Sequence, residues 1–346
     1  MNPSQKEFYR QFSQHGTGDA KVVISAKEVV LLLFIAYNDL YGKYPLEYET
    51  IRNLASKGFY QISFDEIKTL PDVAEDEAFS LLEKFGATNI SGVIYLYLKN
   101  LCDLYRRRFK YDYIIKTQPF PNADQIVPRS LLEYGKCDKT LLTSWLEWRK
   151  WIFDIDNRSG QETGYVFEPI LASCLGGTPV SHTNSPVKRI DDLGLQTSKG
   201  RQVDCFIEDA KEVYELKMRV TIAASGQGRF KEELSFPYEA KEAGLTPILV
   251  VFDSTGSDLL DKLRIQFEEH GGKCYIGQDA WNMLYEKAGE EMSLFIQKYI
   301  YPPIHTMEKL MDGCPSSISI ENTEKSIVIS DGICKYVINR LNNSSK

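Results

Sequence analysis

GRQVDCFIEDAKEVYELKMR, residues 200–219, carries two β-rich runs, Val203–Ile207 and Val213–Met218, on either side of the polar segment Glu208–Glu212. That pattern predicts a hairpin. A turn centred on Asp209 and Ala210, whether two residues long or longer about the same centre, sets Asp204 opposite Glu215. Directly opposed strand residues have Cβ atoms roughly 5 Å apart. Lys217 follows Glu215 by two residues and shares its face, because strand side chains alternate with a period of two. The other face reads Val203, Cys205, Ile207, Tyr214, Leu216 and Met218; it is apolar throughout and is expected to be the buried side. Two carboxylates about a cation's width apart suit Mg2+, a hard ion that takes oxygen ligands and keeps several waters. A lysine beside them can orient a water and stabilise negative charge developing at phosphorus. The chemistry this arrangement fits is phosphodiester hydrolysis.

Acid-x-Lys triplets also occur at Glu66-Ile67-Lys68, Asp209-Ala210-Lys211 and Glu239-Ala240-Lys241. The first and last of these sit in polar, helix-like contexts and the second at the turn tip, so only Glu215-x-Lys217 lies in an apolar strand with an acid registered opposite. The plain alternative is an ordinary cross-strand salt bridge, worth about 0.2–1 kcal/mol at a surface.

Asp204 followed by Glu215-Leu216-Lys217 on the next strand resembles the PD-(D/E)XK nuclease core. The longer run over about residues 160–255, from GYVFEPILASCLGG through NSPVKRIDDLG and GRQVD to YELKMRVTIAASGQGRFKEELSFP, is similar to the ApaLI-like type II restriction endonucleases. One departure is Val203, where the superfamily's name expects a proline. The resemblance implies that Asp204, Glu215 and the backbone carbonyl of Leu216 hold Mg2+, that Lys217 orients the attacking water, and that 5′-phosphate and 3′-hydroxyl ends result. It also implies a further carboxylate from a Gly-x-x-x-Glu stretch that opens a helix before the sheet. Glu168 in Gly164-Tyr-Val-Phe-Glu168 fits best and Glu162 is the fallback; a carboxylate capping a helix start is the alternative role. A homodimer cutting double-stranded DNA at a short palindrome is implied as well, two-fold protein symmetry matching two-fold site symmetry.

Candidate base readers lie on both sides of the hairpin. In Ser225-Gly-Gln-Gly-Arg-Phe-Lys231, Gln227 can contact a base edge bidentately and Arg229 can pair with guanine or phosphate. Asn184, Lys188 and Arg189 in the segment before the hairpin suit loop contacts to DNA. A bland strand-to-helix turn is the alternative for the first segment. Leu104-Tyr-Arg-Arg-Arg-Phe-Lys-Tyr111 is the densest basic run and reads either as a phosphate grip or as a solvated helix face.

With 346 residues, 43% hydrophobic and 26% charged, the chain can bury a full core and could hold two domains. The net charge of −7 gives no global basic field, so any nucleic-acid footprint must be local. Seven scattered cysteines with no C-x-x-C pair read as buried thiols in a reducing compartment, and His15, His182, His270 and His305 form no zinc pattern. The polar start and the short apolar run Val29–Ala36 predict no signal peptide and no membrane span, hence a cytoplasmic protein.

Along the chain, the first twenty residues read as a mobile arm. Helices are expected from Ser25 to Tyr41, over 46–57 and over 75–85, with Val93–Leu104 either helix or strand. Residues 117–130, holding Pro119, Pro121 and Pro128, read as an extended connector. A helix over Thr140–Phe153 with Trp145, Trp148 and Trp151 in the core comes next, then a separate helix begun at Pro169. The continuous apolar run Pro247–Phe252 marks a strand covered on both faces. A helix at 257–269, a strand at Cys274–Ile276 and one helix over 279–299 follow. The fold class is therefore α/β, a mixed central sheet sandwiched by helices, and the resemblance implies that this is a restriction-endonuclease-like core. The expected division is a mostly helical region 1–125, a nuclease core 126–302 and a C-terminal extension 303–346 with β-like runs at Ser317–Ile320 and Ser326–Ile329. The rival functions are a structure-selective or repair nuclease of the same superfamily and a non-catalytic DNA-binding protein that uses the basic 106–110 cluster.

Overall fold

The computed structural model describes the chain except for residues 16–21, 138–140, 192, 219–226, 304–305, 307–312, 314, 316, 324 and 342–346, and except for the side chains of residues 15, 162–163, 166 and 227–229. The N-terminal region comprises α1 (Pro3–Ser13), the short antiparallel pair β1 (Gln14–His15) and β2 (Val22–Val23), α2 (Ala26–Tyr41), α3 (Glu49–Ala55), α4 (Phe64–Lys68), α5 (Glu75–Lys84) and α6 (Val93–Thr117). α7 (Ala123–Tyr134) and the 34-residue α8 (Leu141–Cys174) lead into the sheet region. There follow β3 (Thr178–Val180), β4 (Lys188–Ile190), β5 (Gln196–Gly200), β6 (Val203–Ile207), β7 (Glu212–Lys217), α9 (Gln227–Glu242), β8 (Thr246–Val251), α10 (Asp258–Glu269), β9 (Lys273–Ile276), α11 (Gln278–Lys287) and α12 (Gly289–Tyr299). The tail forms an antiparallel sheet of β10 (Ser319–Asn322), β11 (Ser326–Ser330) and β12 (Lys335–Asn339).

The central sheet has the order β3-β6-β7-β8-β9. β3, β6 and β7 are antiparallel, whereas β7, β8 and β9 run parallel, so the sheet is mixed. Its two faces are covered by different helices. Ile248, Val250 and Phe252 of the β8 run join Ile170, Leu171 and Cys174 of α8 and Phe295 of α12. Leu249 and Val251 pack with Phe236 and Ala240 of α9 and with Leu260, Leu263 and Phe267 of α10. Burial on both faces is why this strand is apolar without alternation.

Several local expectations are overturned. The first residues are a helix and not an arm: Asn2 and Gln5 form a capping box, and Tyr9 and Phe12 are buried. Most of the Pro-containing connector is α7, with Pro128 inside it. The two helices expected on either side of residue 160 are one, and Pro169 lies inside α8. Trp151 is core and Trp148 packs beside it, but Trp145 is 53% exposed. The span 279–299 is two helices, parted at Gly289, whose φ of 67° favours glycine. Residue 125 lies within α7, and the largest core cluster joins residues from Tyr9 to Ile300. The tail sheet closes over Ile114 of α6 and over Trp151 and Ile155 of α8 through Ile327 and Ile338.

Of the four cations in the basic run only Arg107 and Arg108 are partly exposed. The run lies in the middle of α6, where Arg106 and Lys110 are buried. Arg106 donates to the carbonyl of Phe12 and to Asp103, which ties α1 to α6.

A second buried pair braces the region beside the hairpin. Arg201 is ion-paired with Glu239 of α9, with side chains 10% and 3% exposed, and Glu239 also accepts the Ile190 N–H at 3.1 Å. Removing one partner strands a buried charge, at a cost of about 3–5 kcal/mol. Glu239→Ala is accordingly expected to lower the unfolding free energy in a denaturant titration by about that amount. A change of only a few tenths of a kcal/mol would mean that the pair braces nothing.

Candidate active site

The β6–β7 register is the one read from the sequence. Cys205 pairs with Tyr214, Phe206 with Val213 and Ile207 with Glu212, across a turn in which the Lys211 N–H donates to Glu208 O at 3.0 Å. Cys205, Tyr214 and Leu216 are buried against the α8 side as expected. Val203 is buried too, but it packs with Val213 on the α9 side, where strand alternation alone predicts the Cys205 side. The cause lies next door: the β3–β6 register shifts between Thr178 and Val180, and such a bulge twists the strand locally.

The backbone ladder ends at Cys205–Tyr214, and the next position in that register is Asp204 with Glu215. There a side chain takes over the ladder, since Asp204 Oδ2 accepts the Leu216 N–H at 2.9 Å. This bond fixes the Asp204 carboxylate at the mouth of the hairpin, away from its turn. Lys211 and Lys217 direct their carbonyls to the N–H groups of Thr246 in β8 and of Phe252 just after it. Backbone groups alternate along a strand, so the Leu216 carbonyl is turned to the opposite edge, where Asp204 stands.

Lys217 closes the cluster. Its Nζ donates to Glu215 Oε1 at 3.2 Å and to Glu233 Oε1 of α9 at 3.2 Å. Burial pulls its pKa down, but the charges of Glu215 and Glu233 outweigh this and hold the ammonium above the usual lysine value.

Glu168 reaches the same place from α8. A Cβ on Gly164 would lie 2.9 Å from Glu168 Oε1, so the carboxylate folds back over the preceding helical turn. Glu168 is thus an interior helix residue and not a cap. Burial first, then the charge of Glu215, raises its pKa, while Lys217 lowers it. Asp204 is pushed well above the usual carboxylate range by burial and by the charges of Glu215 and Glu168, against the opposing pull of the Leu216 N–H and Lys217. Four carboxylates crowd around one ammonium, and burial together with neighbouring charge raises the pKa values of two of them, Asp204 and Glu168, a pattern that makes the cluster a candidate functional site.

Not every expected residue joins this cluster. Arg189 of β4 is held by Glu232, with Nη1 to Oε1 2.9 Å, Lys188 is half-buried beside it, and Asn184 is exposed in the preceding turn. The side chains of Gln227, Arg229 and Glu162 lie outside the described residues. Glu233 was not singled out from the sequence. Its one available signal is its place on the stripe of α9 that continues into buried Phe236 and Ala240. Among the described residues no group of three or more His, Cys, Asp or Glu side chains forms a ready-made metal cage. No helix of the described residues is long and apolar enough to cross a membrane.

The model of the ApaLI-like restriction endonuclease family matches residues 62–301. That span holds Glu168, Asp204, Glu215, Lys217 and Glu233, and it leaves out α1 to α3 and the tail sheet. The type II restriction enzyme ApaLI of Acetobacter pasteurianus is 43% identical over an alignment of 262 residues that covers 73% of this chain and 67% of that relative. No solved structure matches the chain.

Proposed function

This chain belongs to the ApaLI-like restriction endonuclease family, and from that premise we propose that it hydrolyses double-stranded DNA at a short palindromic site, with Mg2+, as a cytoplasmic homodimer. The observation that carries this reading is the meeting of Asp204, Glu215 and Lys217 at the open end of one hairpin, with Glu168 entering from a separate helix.

The donor set fits a hard divalent ion. It offers carboxylate and carbonyl oxygen and no sulfur or imidazole, as Mg2+ requires. The fit also shows in the electrostatics, because Asp204 carries a charge that burial and its acidic neighbours penalise and that a nearby cation would relieve. Asp204, Glu215 and the Leu216 carbonyl would hold the ion, with Glu168 beside them. Bound there, Mg2+ supplies neutralising charge to the phosphate oxygens of the scissile bond.

The remaining work falls to the chain's own groups. Lys217, kept charged between two carboxylates, donates and does not abstract: it aims an N–H at the attacking water and stabilises the charge gathering on phosphorus. In-line attack then leaves 5′-phosphate and 3′-hydroxyl ends. Glu168 and Asp204, with their raised affinity for protons, complete the acidic wall of the cleft. Gln227 and Arg229 at the start of α9, with Asn184, Lys188 and Arg189 across from them, are the proposed base and phosphate contacts.

Plasmid digestion with and without Mg2+ tests the reading. Discrete fragments whose sequenced ends share one palindrome are expected, and none in chelator. A smear, or cutting confined to flaps and junctions, would replace it with the structure-selective nuclease. Salt-sensitive binding without cleavage would replace it with a DNA-binding protein. Gln227→Ala and Arg229→Ala are expected to cost about 1–3 kcal/mol of discrimination between the cognate site and single-base variants in a binding titration. If neither alters site preference, the readout moves to residues 181–189.

A further inference from the structure

Glu233 belongs to the cluster by packing alone. Helix spacing divides the acids of α9: Glu232 turns to Arg189 and Glu239 to Arg201, while Glu233 stands three residues before Phe236 and seven before Ala240 on the stripe that faces the sheet. Its Oε1 accepts from Lys217 at 3.2 Å, and its Oε2 is buried with no hydrogen-bond partner among the described residues. A carboxylate left half-satisfied out of water destabilises a fold, and such groups persist where a site needs them.

We propose that Glu233 is the positioning residue for Lys217. An ammonium has three N–H groups in tetrahedral array. With Glu215 alone, Lys217 could collapse into a simple ion pair and neutralise that carboxylate. Glu233 accepts from α9 at an equal distance, so the ammonium is shared between β7 and α9 and, among the described residues, gives two of its three N–H groups to these partners. This inference rests on the reading of Lys217 as the charge that meets the reacting phosphate.

A double-mutant cycle on the full-length protein tests it, read by single-turnover cleavage and by DNA affinity in chelator. Glu233→Ala is expected to slow cleavage about 10–100-fold, as loss of a supporting partner does, with KM and metal-free DNA affinity within about twofold of the parent. Glu233→Gln, which keeps an oxygen acceptor and the volume, is expected to recover part of the rate and guards against misfolding of the alanine variant. In a Lys217→Ala background Glu233→Ala is expected to cost nothing further, because the two act as a unit. Losses that multiply in the double variant, or full activity of Glu233→Ala while Lys217→Ala is dead, would overturn the proposal. An active Lys217→Ala variant would instead bring down the catalytic reading itself, and this inference with it.

Discussion

Asp204→Ala is expected to lower Mg2+-dependent cleavage by on the order of 10⁴-fold, with DNA binding in chelator retained. The size of the effect follows from what the residue does twice over. It is the carboxylate that the Leu216 N–H locks at the mouth of the hairpin, and it is the group whose charge is most penalised by its surroundings. Glu215→Gln is expected to match it, since it leaves Lys217 with a neutral neighbour and the ion with one charge fewer. Undiminished cutting by either variant would refute the metal-site assignment.

The same residue predicts an opposite effect on stability. The folded-state pKa of Asp204 is raised above its unfolded value, so the folded protein binds this proton more tightly than the unfolded chain. Its contribution is fully present below the unfolded carboxylate pKa and is lost as pH rises through the folded one. At neutral pH without divalent ions the charged form therefore costs stability, and Asp204→Asn is expected to raise the melting temperature while abolishing cleavage. A lower melting temperature for Asp204→Asn in chelator would show that the carboxylate is an ordinary structural group.

Lys217→Ala is expected to reduce the single-turnover rate by about 10²–10³-fold, the cost of removing one preorganised donor from a transition state. Lys217→Arg is not a conservative rescue, because a planar fork cannot occupy the point between Glu215 and Glu233 that an ammonium fills. Retained activity in Lys217→Ala would leave the lysine as a salt-bridge partner only.

How much of this was legible in the chain depends on the range of the interaction. Strand period and a turn centre are local, so the order VDCFI-turn-EVYELK placed Asp204, Glu215 and Lys217 together without any tertiary information. The run Pro247–Phe252, apolar at every position, likewise declared a strand packed on both faces. Proline and composition misled where neighbours outweighed local preference. Pro128 and Pro169 both lie inside helices, and a Gln- and Ser-rich start folded because Tyr9 and Phe12 found a core.

Tertiary structure decided the rest. That Glu168 of α8 comes near enough to feel the charges of Glu215 and Lys217 depends on where a continuous helix crosses the sheet. That Arg106 is an internal brace, and that Glu233 takes half of Lys217, depends on contacts 94 and 16 residues apart along the chain. Short-range periodicity sets which side chains share a face. Only the packing of one element on another sets which of those faces meet, and a cluster of like charges exists only once they do.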